Sequence, residues 1–300
     1  MQRACGSLAL LVLFCASAVA EERVPEYLIR LPESIDTVFV AETTSARFYR
    51  FENGREGGIR FRGHSYMSIG SNGDHKQRSG DRKTPLGIYF VTEQLDTERM
   101  AERYGYTAFV LDYPNALDRR RQRTGSGIWV HGVDRRGGYR PPQDTDGCIA
   151  LPNAELAALE EYFEPNRTPV LISRTVEWGT AARLKELRSE LSAAVNLWAN
   201  SQKRGDLYTF LSLYDDSFRH WGMNKEEWVA FQTQILPGRE LRSVSVSDLV
   251  LLGDPVENNT YLSRFRMQLT EADRSVTVTK RLYSRRSNDG DLRLVAEDSG

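Results

Sequence analysis

The hydrophobic pattern of the chain changes near residue 178, and this change constrains the fold more than any other feature. Before it, apolar and alternating segments bounded by Gly, Pro and Asn are typical of strands. These segments lie at 37–40, 46–51, 88–91, 108–111, 127–130 and 169–172. Residues 153–163 have a helical pattern. The first part of the chain is therefore predicted to be mostly β.

Beyond residue 178 the pattern becomes helical and then returns to strands. Apolar residues follow i, i+3, i+4 spacing over 180–202, which predicts a long amphipathic helix. Two shorter helices are predicted at 207–214 and 225–235, the latter capped by Asn224. Strands are predicted at 243–252, 260–269, 275–284 and 292–297. Helices followed by a meander indicate an α+β unit with a curved antiparallel sheet, and we place the domain boundary at 176–180.

The N-terminus has the composition of a secretory signal peptide. Arg3, a short apolar run and the small residues of 18–20 precede an acidic segment, so cleavage is predicted after Ala20. We therefore expect an exported mature protein without membrane insertion. Residues 21–177 form its first domain and residues 178–300 its second. Cys5 and Cys15 leave with the peptide, so Cys148 is expected to be the only thiol, without an intrachain disulfide.

Charge and histidine spacing limit the classes of function. The chain has 40 Lys and Arg against 41 Asp and Glu, a balance that does not favour nucleic-acid binding. His64 and His75 lack ligand-like spacing to other His, Cys or carboxylate residues, so we expect neither metal nor cofactor. His220 is interpreted as a turn residue.

The segments Trp129-Val130-His131-Gly132 and Thr145-Asp146-Gly147-Cys148 have the residue types of a thiol nucleophile and its base. An imidazole can take the thiol proton and later return it to a leaving amine. The Gly132 carbonyl is accessible to orient the ring, and backbone N–H groups around Gly147 and Cys148 are candidates for an oxyanion site. The alternative is a buried, inert cysteine.

This arrangement, together with Gly80-Asp81-x-Lys83-Thr84-Pro85-x-Gly87, resembles the L,D-transpeptidase (YkuD-type) catalytic domain over roughly residues 36–175. The resemblance implies a β-rich fold and a cysteine acyl-enzyme acting on peptidoglycan stem peptides. It implies that Cys148 is the nucleophile, His131 the base and Gly132 the orienting carbonyl. Many members have His and Arg where this chain has Asp146 and Ala150, which leaves the exact reaction open.

The second domain resembles an NTF2-like cone, and the pairing of domains resembles the cell-shape L,D-carboxypeptidases of curved bacteria. We therefore expect a periplasmic or cell-envelope enzyme that trims tetrapeptides to tripeptides. Two alternatives stay open: a transpeptidase that forms cross-links or attaches a protein or D-amino acid, and a non-enzymatic wall-binding module. The oligomeric state and the ligand of the second domain are not predicted.

Further residues are candidates for substrate contact because they flank the predicted pair. They are Gly147, Thr145, Trp129, Tyr139 and Arg140. The basic run Arg119–Arg123 is interpreted either as a solvated loop or as a contact to substrate carboxylates or anionic glycan. The tryptophans of the second domain, Trp198, Trp221 and Trp228, either pack in its core or line a pocket.

Overall fold

The computed structural model describes residues 24–54, 58–236 and 241–299. The predicted signal peptide lies outside these residues. No helix within the described ranges is long and apolar enough to cross a bilayer.

The described residues form eighteen strands and five α-helices in chain order. The strands of the first half are β1 (Val24–Pro25), β2 (Leu28–Arg30), β3 (Thr37–Glu42), β4 (Arg47–Asn53), β5 (Ile59–Tyr66), β6 (Ile69–Gly70), β7 (Gly87–Asp96), β8 (Thr107–Leu111), β9 (Trp129–His131), β10 (Gln143–Thr145), β11 (Ile149–Ala150) and β12 (Pro169–Ser173). The later strands are β13 (Trp178–Gly179), β14 (Tyr214–Arg219), β15 (Ser243–Gly253), β16 (Thr260–Thr270), β17 (Ser275–Arg286) and β18 (Leu292–Ser299). The helices are α1 (Ala116–Arg120), α2 (Asn153–Leu159), α3 (Ala181–Lys203), α4 (Leu207–Ser212) and α5 (Lys225–Ile235), and 3-10 turns lie at Glu102–Tyr104 and Glu160–Tyr162.

Two sheets form the framework. The first has eight strands in the order β11-β9-β8-β7-β12-β3-β4-β5, and its β12/β3 and β11/β9 pairs are parallel. The second has six strands in the order β14-β18-β17-β16-β15-β2, with the predicted four-strand meander β15 to β18 at its centre. The predicted α+β class is confirmed.

The central strands β3 and β12 of the first sheet are buried on both faces, as their unbroken apolar runs indicate. In β3, Phe39 and Ala41 belong to a core within the first half of the chain, where Phe39 and Phe109 both stack on Phe163. Val38 and Val40 point to the other face, into a second core that includes α3 and the six-stranded sheet. The two halves of the chain therefore share a continuous apolar interface.

The N-terminal segment crosses this interface. Strand β2 pairs with β15 at the edge of the six-stranded sheet, and β1 pairs with β13. Residues 24–31, which the predicted range 21–177 groups with the first domain, therefore contribute a strand to the second sheet.

Some predicted elements differ from those observed. The predicted helix 207–214 ends at Ser212, and β14 follows it as a strand parallel to β18. The meander supplies this pairing, which no local pattern indicates. Strand β5 was not predicted, because its Arg, Gly and His residues lie on an exposed edge. The predicted cap of α5 is confirmed: Asn224 and Glu227 form a capping box.

The Arg119–Arg123 run is neither a solvated loop nor part of the cleft described below. Arg119 pairs with Asp298 at 3.1 Å, and Arg121 pairs with Asp254 at 3.2 Å, both across the interface. Arg120 donates to the hydroxyl of Ser217 at 2.8 Å, also across the interface. Arg119, Arg120 and Arg121 therefore join the two halves of the chain, whereas Arg123 pairs with Asp118 at 3.0 Å within the first half.

Arg281 of β17 completes this interface. Its guanidinium pairs with Asp112, which follows β8, and lies 3.2 Å from Asp298. Burial raises the pKa of Asp112, and the charge of Arg281 opposes that rise. Removal of Arg281 would leave two largely buried carboxylates without this cation.

We predict that Arg281→Met lowers the free energy of unfolding by about 3–5 kcal/mol, because it breaks a buried charge network. The matched control is Arg266→Met, since Arg266 is 60% exposed and lies 3.8 Å from Asp248. Loss of that exposed pair should cost about 0–1 kcal/mol. Urea unfolding of both variants measures the difference, and equal losses would contradict the predicted role of Arg281.

Candidate active site

Two short parallel strands bring His131 and Cys148 together. In the β11/β9 pair, Ile149 lies opposite Val130 and Ala150 opposite His131. Cys148 directly precedes β11, so the register places it beside the start of β9. Both side chains line one open cleft of about 410 Å³. His131 and Cys148 therefore lie at the same cleft, as the sequence predicts.

The His131 ring is held in one orientation. Its Nδ1 lies 2.5 Å from the carbonyl oxygen of Gly132, which accepts only, so Nδ1 carries the proton. The other nitrogen, Nε2, is then the unprotonated one. Tyr104 packs edge-on against the ring at 5.2 Å. Burial lowers the pKa of His131 to about 4, and the positive charges of Arg140 and Arg103 contribute to this shift.

The Cys148 thiol is half-buried at the cleft, and its Sγ lies 3.4 Å from the carbonyl oxygen of Gly127. Burial raises the pKa of Cys148 to about 11; the charge of Asp146 adds to this rise, whereas Arg103 opposes it. At neutral pH the free site therefore holds a neutral thiol and a neutral imidazole.

Thr145 shapes the turn that carries the thiol. Its hydroxyl donates to the Cys148 carbonyl at 2.7 Å and accepts from the Gly147 N–H at 3.1 Å. The Gly147 N–H is thus engaged, which makes the Cys148 N–H the stronger candidate for an oxyanion donor. Gly147 has a φ of +126°, and a Cβ there would lie 2.8 Å from the Lys83 carbonyl oxygen. Only glycine fits this position without strain.

Thr84 connects the upstream Gly80–Gly87 segment to the same turn. Its buried hydroxyl donates to the Gly147 carbonyl at 2.9 Å and accepts from the Gly70 N–H at 2.9 Å. Asp81 ties this segment to the residues before it, because its carboxylate accepts hydrogen bonds from Lys76 Nζ at 2.7 Å and from the Gln77 N–H at 2.8 Å. The two recurring sequence blocks are therefore one hydrogen-bonded unit, a connection that sequence spacing alone does not indicate.

The predicted substrate-contact residues divide into two groups. Thr145 and Arg140 line the cleft, whereas Gly147 is buried behind the thiol. Trp129 packs against Tyr104 with ring centroids 5.3 Å apart, and Tyr139 is 77% exposed. Neither Trp129 nor Tyr139 is among the residues that line the cleft.

Sequence reasoning missed several cleft residues, above all Arg103 and Tyr104 of a 3-10 turn. Arg82 and Arg103 lie on either side of Asp146, at 3.8 Å and 3.5 Å from its carboxylate oxygens. These residues lie in an exposed, charged turn far along the chain from both motifs, so no residue spacing in the sequence connects them to the site. The cleft rim therefore carries more cations than the motifs indicate.

The remaining candidates lie away from the cleft. Trp198 and Trp228 are buried in the second-domain core, and Trp221 is exposed. His220 is buried in a tight turn, where its Nδ1 lies 2.8 Å from the Glu297 carbonyl oxygen. Within residues 24–54, 58–236 and 241–299, no group of three His, Cys, Asp or Glu side chains has a metal-binding arrangement.

We predict that Thr84→Val lowers the free energy of unfolding by about 1–3 kcal/mol, because it leaves a buried N–H and a buried carbonyl unpaired. Amide exchange at 145–148 should also accelerate. Thr84→Ser keeps the hydroxyl and should lose less on both measures. Urea unfolding and hydrogen exchange test this; a valine variant as stable and as protected as wild type would contradict it.

Comparison with known proteins agrees with this architecture. Residues 36–172 match the L,D-transpeptidase catalytic domain (YkuD), and residues 190–298 match the Cds6 C-terminal NTF2-like domain. Bd1075 of Bdellovibrio bacteriovorus is 25% identical, with a TM-score of 0.76 over 93% of this chain and 98% of that one. The helical cell shape determining protein Pgp2 of Campylobacter jejuni is also 25% identical, with a TM-score of 0.77 over 91% and 95%. No curated protein gives a significant match. The chain consists of a YkuD-family L,D-transpeptidase catalytic domain followed by an NTF2-like domain.

Proposed function

We propose that this protein is an L,D-carboxypeptidase of the cell envelope that trims peptidoglycan tetrapeptides to tripeptides through a thioester on Cys148. One observation carries the proposal: a neutral imidazole with an unprotonated Nε2 and a free thiol line the same cleft. The YkuD domain supports a peptidoglycan stem peptide as the substrate class.

The first half-reaction begins with the neutral pair. The Cys148 sulfur attacks the carbonyl carbon before the terminal D-amino acid, and its proton passes to His131 Nε2. The Cys148 N–H is the candidate donor to the oxyanion of the tetrahedral intermediate. His131 then returns the proton to the amide nitrogen, the C–N bond breaks, and the D-amino acid leaves. The acyl group stays on sulfur as a thioester.

Water resolves the thioester in the second half-reaction. His131 accepts a proton from the water, the hydroxyl oxygen bonds to the acyl carbon, and the C–S bond breaks. The proton returns to sulfur, and the tripeptide leaves with a new carboxylate. A transpeptidase would use an amine in place of this water, so both reactions share the acyl-enzyme.

The two-domain architecture favours water as the acceptor. Pgp2, which is similar over both domains, is named for determining helical cell shape. The same pairing resembles cell-shape carboxypeptidases, which use water instead of an amine.

We predict that the purified protein releases a D-amino acid from tetrapeptide muropeptides and that Cys148→Ala abolishes the release. Mass spectrometry with and without an added D-amino acid acceptor separates the two reactions. The tripeptide should dominate in both. An exchanged tetrapeptide as the main product would identify a transpeptidase, and equal tripeptide from wild type and Cys148→Ala would refute the cysteine mechanism.

We also predict an unusual pH dependence of kcat/KM. A base with an ordinary histidine pKa would lose activity below pH 6.5, whereas the lowered pKa keeps His131 able to accept a proton down to about pH 4. The acidic limb of the profile should therefore fall near pH 4. Alkylation of Cys148 by iodoacetamide should rise with pH towards about 11. An acidic limb at pH 6.5 would contradict this assignment.

A further inference from the structure

The position two residues after the nucleophile carries no charge in this chain. Ala150 is 1% exposed, and its backbone N–H and carbonyl both pair with Ser68, at 2.9 Å and 2.8 Å. This chain therefore has no basic side chain at this position. The cleft nevertheless contains three guanidinium groups, from Arg82, Arg103 and Arg140.

We propose that Arg103 binds the terminal α-carboxylate of the residue that leaves, and so restricts cleavage to the free C-terminal end of the stem peptide. This inference rests on the proposed carboxypeptidase function and adds a specificity-determining residue to it. Arginine suits the task because its planar fork matches both carboxylate oxygens.

Arg103 is anchored next to the base. Its guanidinium lies 4.9 Å from the centre of the Tyr104 ring, and its Nη2 donates to the Tyr104 hydroxyl at 2.9 Å. Tyr104 in turn contacts the His131 ring. One aromatic side chain therefore contacts both the cation and the base that protonates the leaving amine. The α-carboxylate of the leaving residue is one carbon away from that amine.

Arg103 also keeps donors available for a ligand. Its partner in the cleft is Asp146, at 3.5 Å, and both side chains are more than half exposed. A pair this long and this exposed contributes little, so a substrate carboxylate can replace it. A guanidinium has five N–H donors, of which the tyrosine uses one.

The other two cleft arginines fit this role less well. Arg140 is largely buried and donates to the Asp144 carbonyl at 3.3 Å. Arg82 lies 3.8 Å from Asp146 and is also exposed. The charges of Arg140 and Arg103 lower the pKa of both His131 and Cys148. Of these two arginines, Arg103 is the exposed one, and it contacts Tyr104, which packs against the His131 ring.

The test compares two tetrapeptide substrates, one with a free terminal α-carboxylate and one amidated at that carboxylate alone. The variants are Arg103→Met, Arg103→Lys and, as the matched exposed control, Arg82→Met. Arg103→Met should lower kcat/KM for the free-acid peptide by about 10–100-fold, mainly by raising KM. It should change kcat/KM for the amidated peptide by less than about threefold. Arg82→Met should preserve the preference for the acid, and Arg103→Lys should restore part of it.

The same pair of peptides is titrated calorimetrically into Cys148→Ala with and without Arg103→Met. This binding measurement does not depend on turnover, so it separates the two proposals. If Arg103→Met removes the preferential binding of the free-acid peptide but the wild-type enzyme hydrolyses neither peptide, the carboxylate site is supported and the carboxypeptidase function is refuted. An unchanged preference after Arg103→Met, or an equal loss for acid and amide, would overturn the assignment of Arg103. A selective loss in Arg140→Met instead would also overturn it.

Discussion

The parallel pairing of β9 with β11 is the interaction on which the site depends. Residues 131 and 148 are separated by a long polar loop, and the register of two very short strands brings them to one cleft. Pairing between two such short strands contributes little stability by itself, so the surrounding hydrogen bonds must hold β9 and β11 in register. Thr84 and Thr145 do this by satisfying buried backbone groups around Gly147. The geometry around the proposed catalytic pair is thus maintained by the hydroxyl groups of Thr84 and Thr145.

Burial also determines the protonation state of the proposed pair. It raises the pKa of Cys148 to about 11 and lowers that of His131 to about 4, so neither group is charged in the free site at neutral pH. A neutral pair avoids an uncompensated buried charge, and in the proposed mechanism the proton moves only when substrate brings the carbonyl to the sulfur. Away from the cleft, Arg119, Arg121 and Arg281 join the two halves of the chain by pairing with carboxylates across their interface.

Local patterns predicted much of the fold. Helix α3 and the meander followed from long periodic segments, and the cap of α5 followed from Asn224. Strand β14 did not, since its pairing with β18 depends on distant residues. Cys148 and His131 could be predicted because each forms a recognisable motif with an adjacent glycine. No motif marks Arg103 or the interface role of Arg119, Arg120 and Arg121, because an exposed or ion-paired arginine has the same sequence signal in any loop.

The central claim is that Cys148 carries the acyl group covalently during turnover. Rapid acid quenching of the enzyme with tetrapeptide muropeptide, followed by intact-protein mass spectrometry, tests this directly. We predict a transient mass increase equal to the tripeptide acyl group, removed by hydroxylamine and absent from Cys148→Ala. Tripeptide formation without any such adduct on the wild-type enzyme, under conditions that quench faster than turnover, would contradict the account.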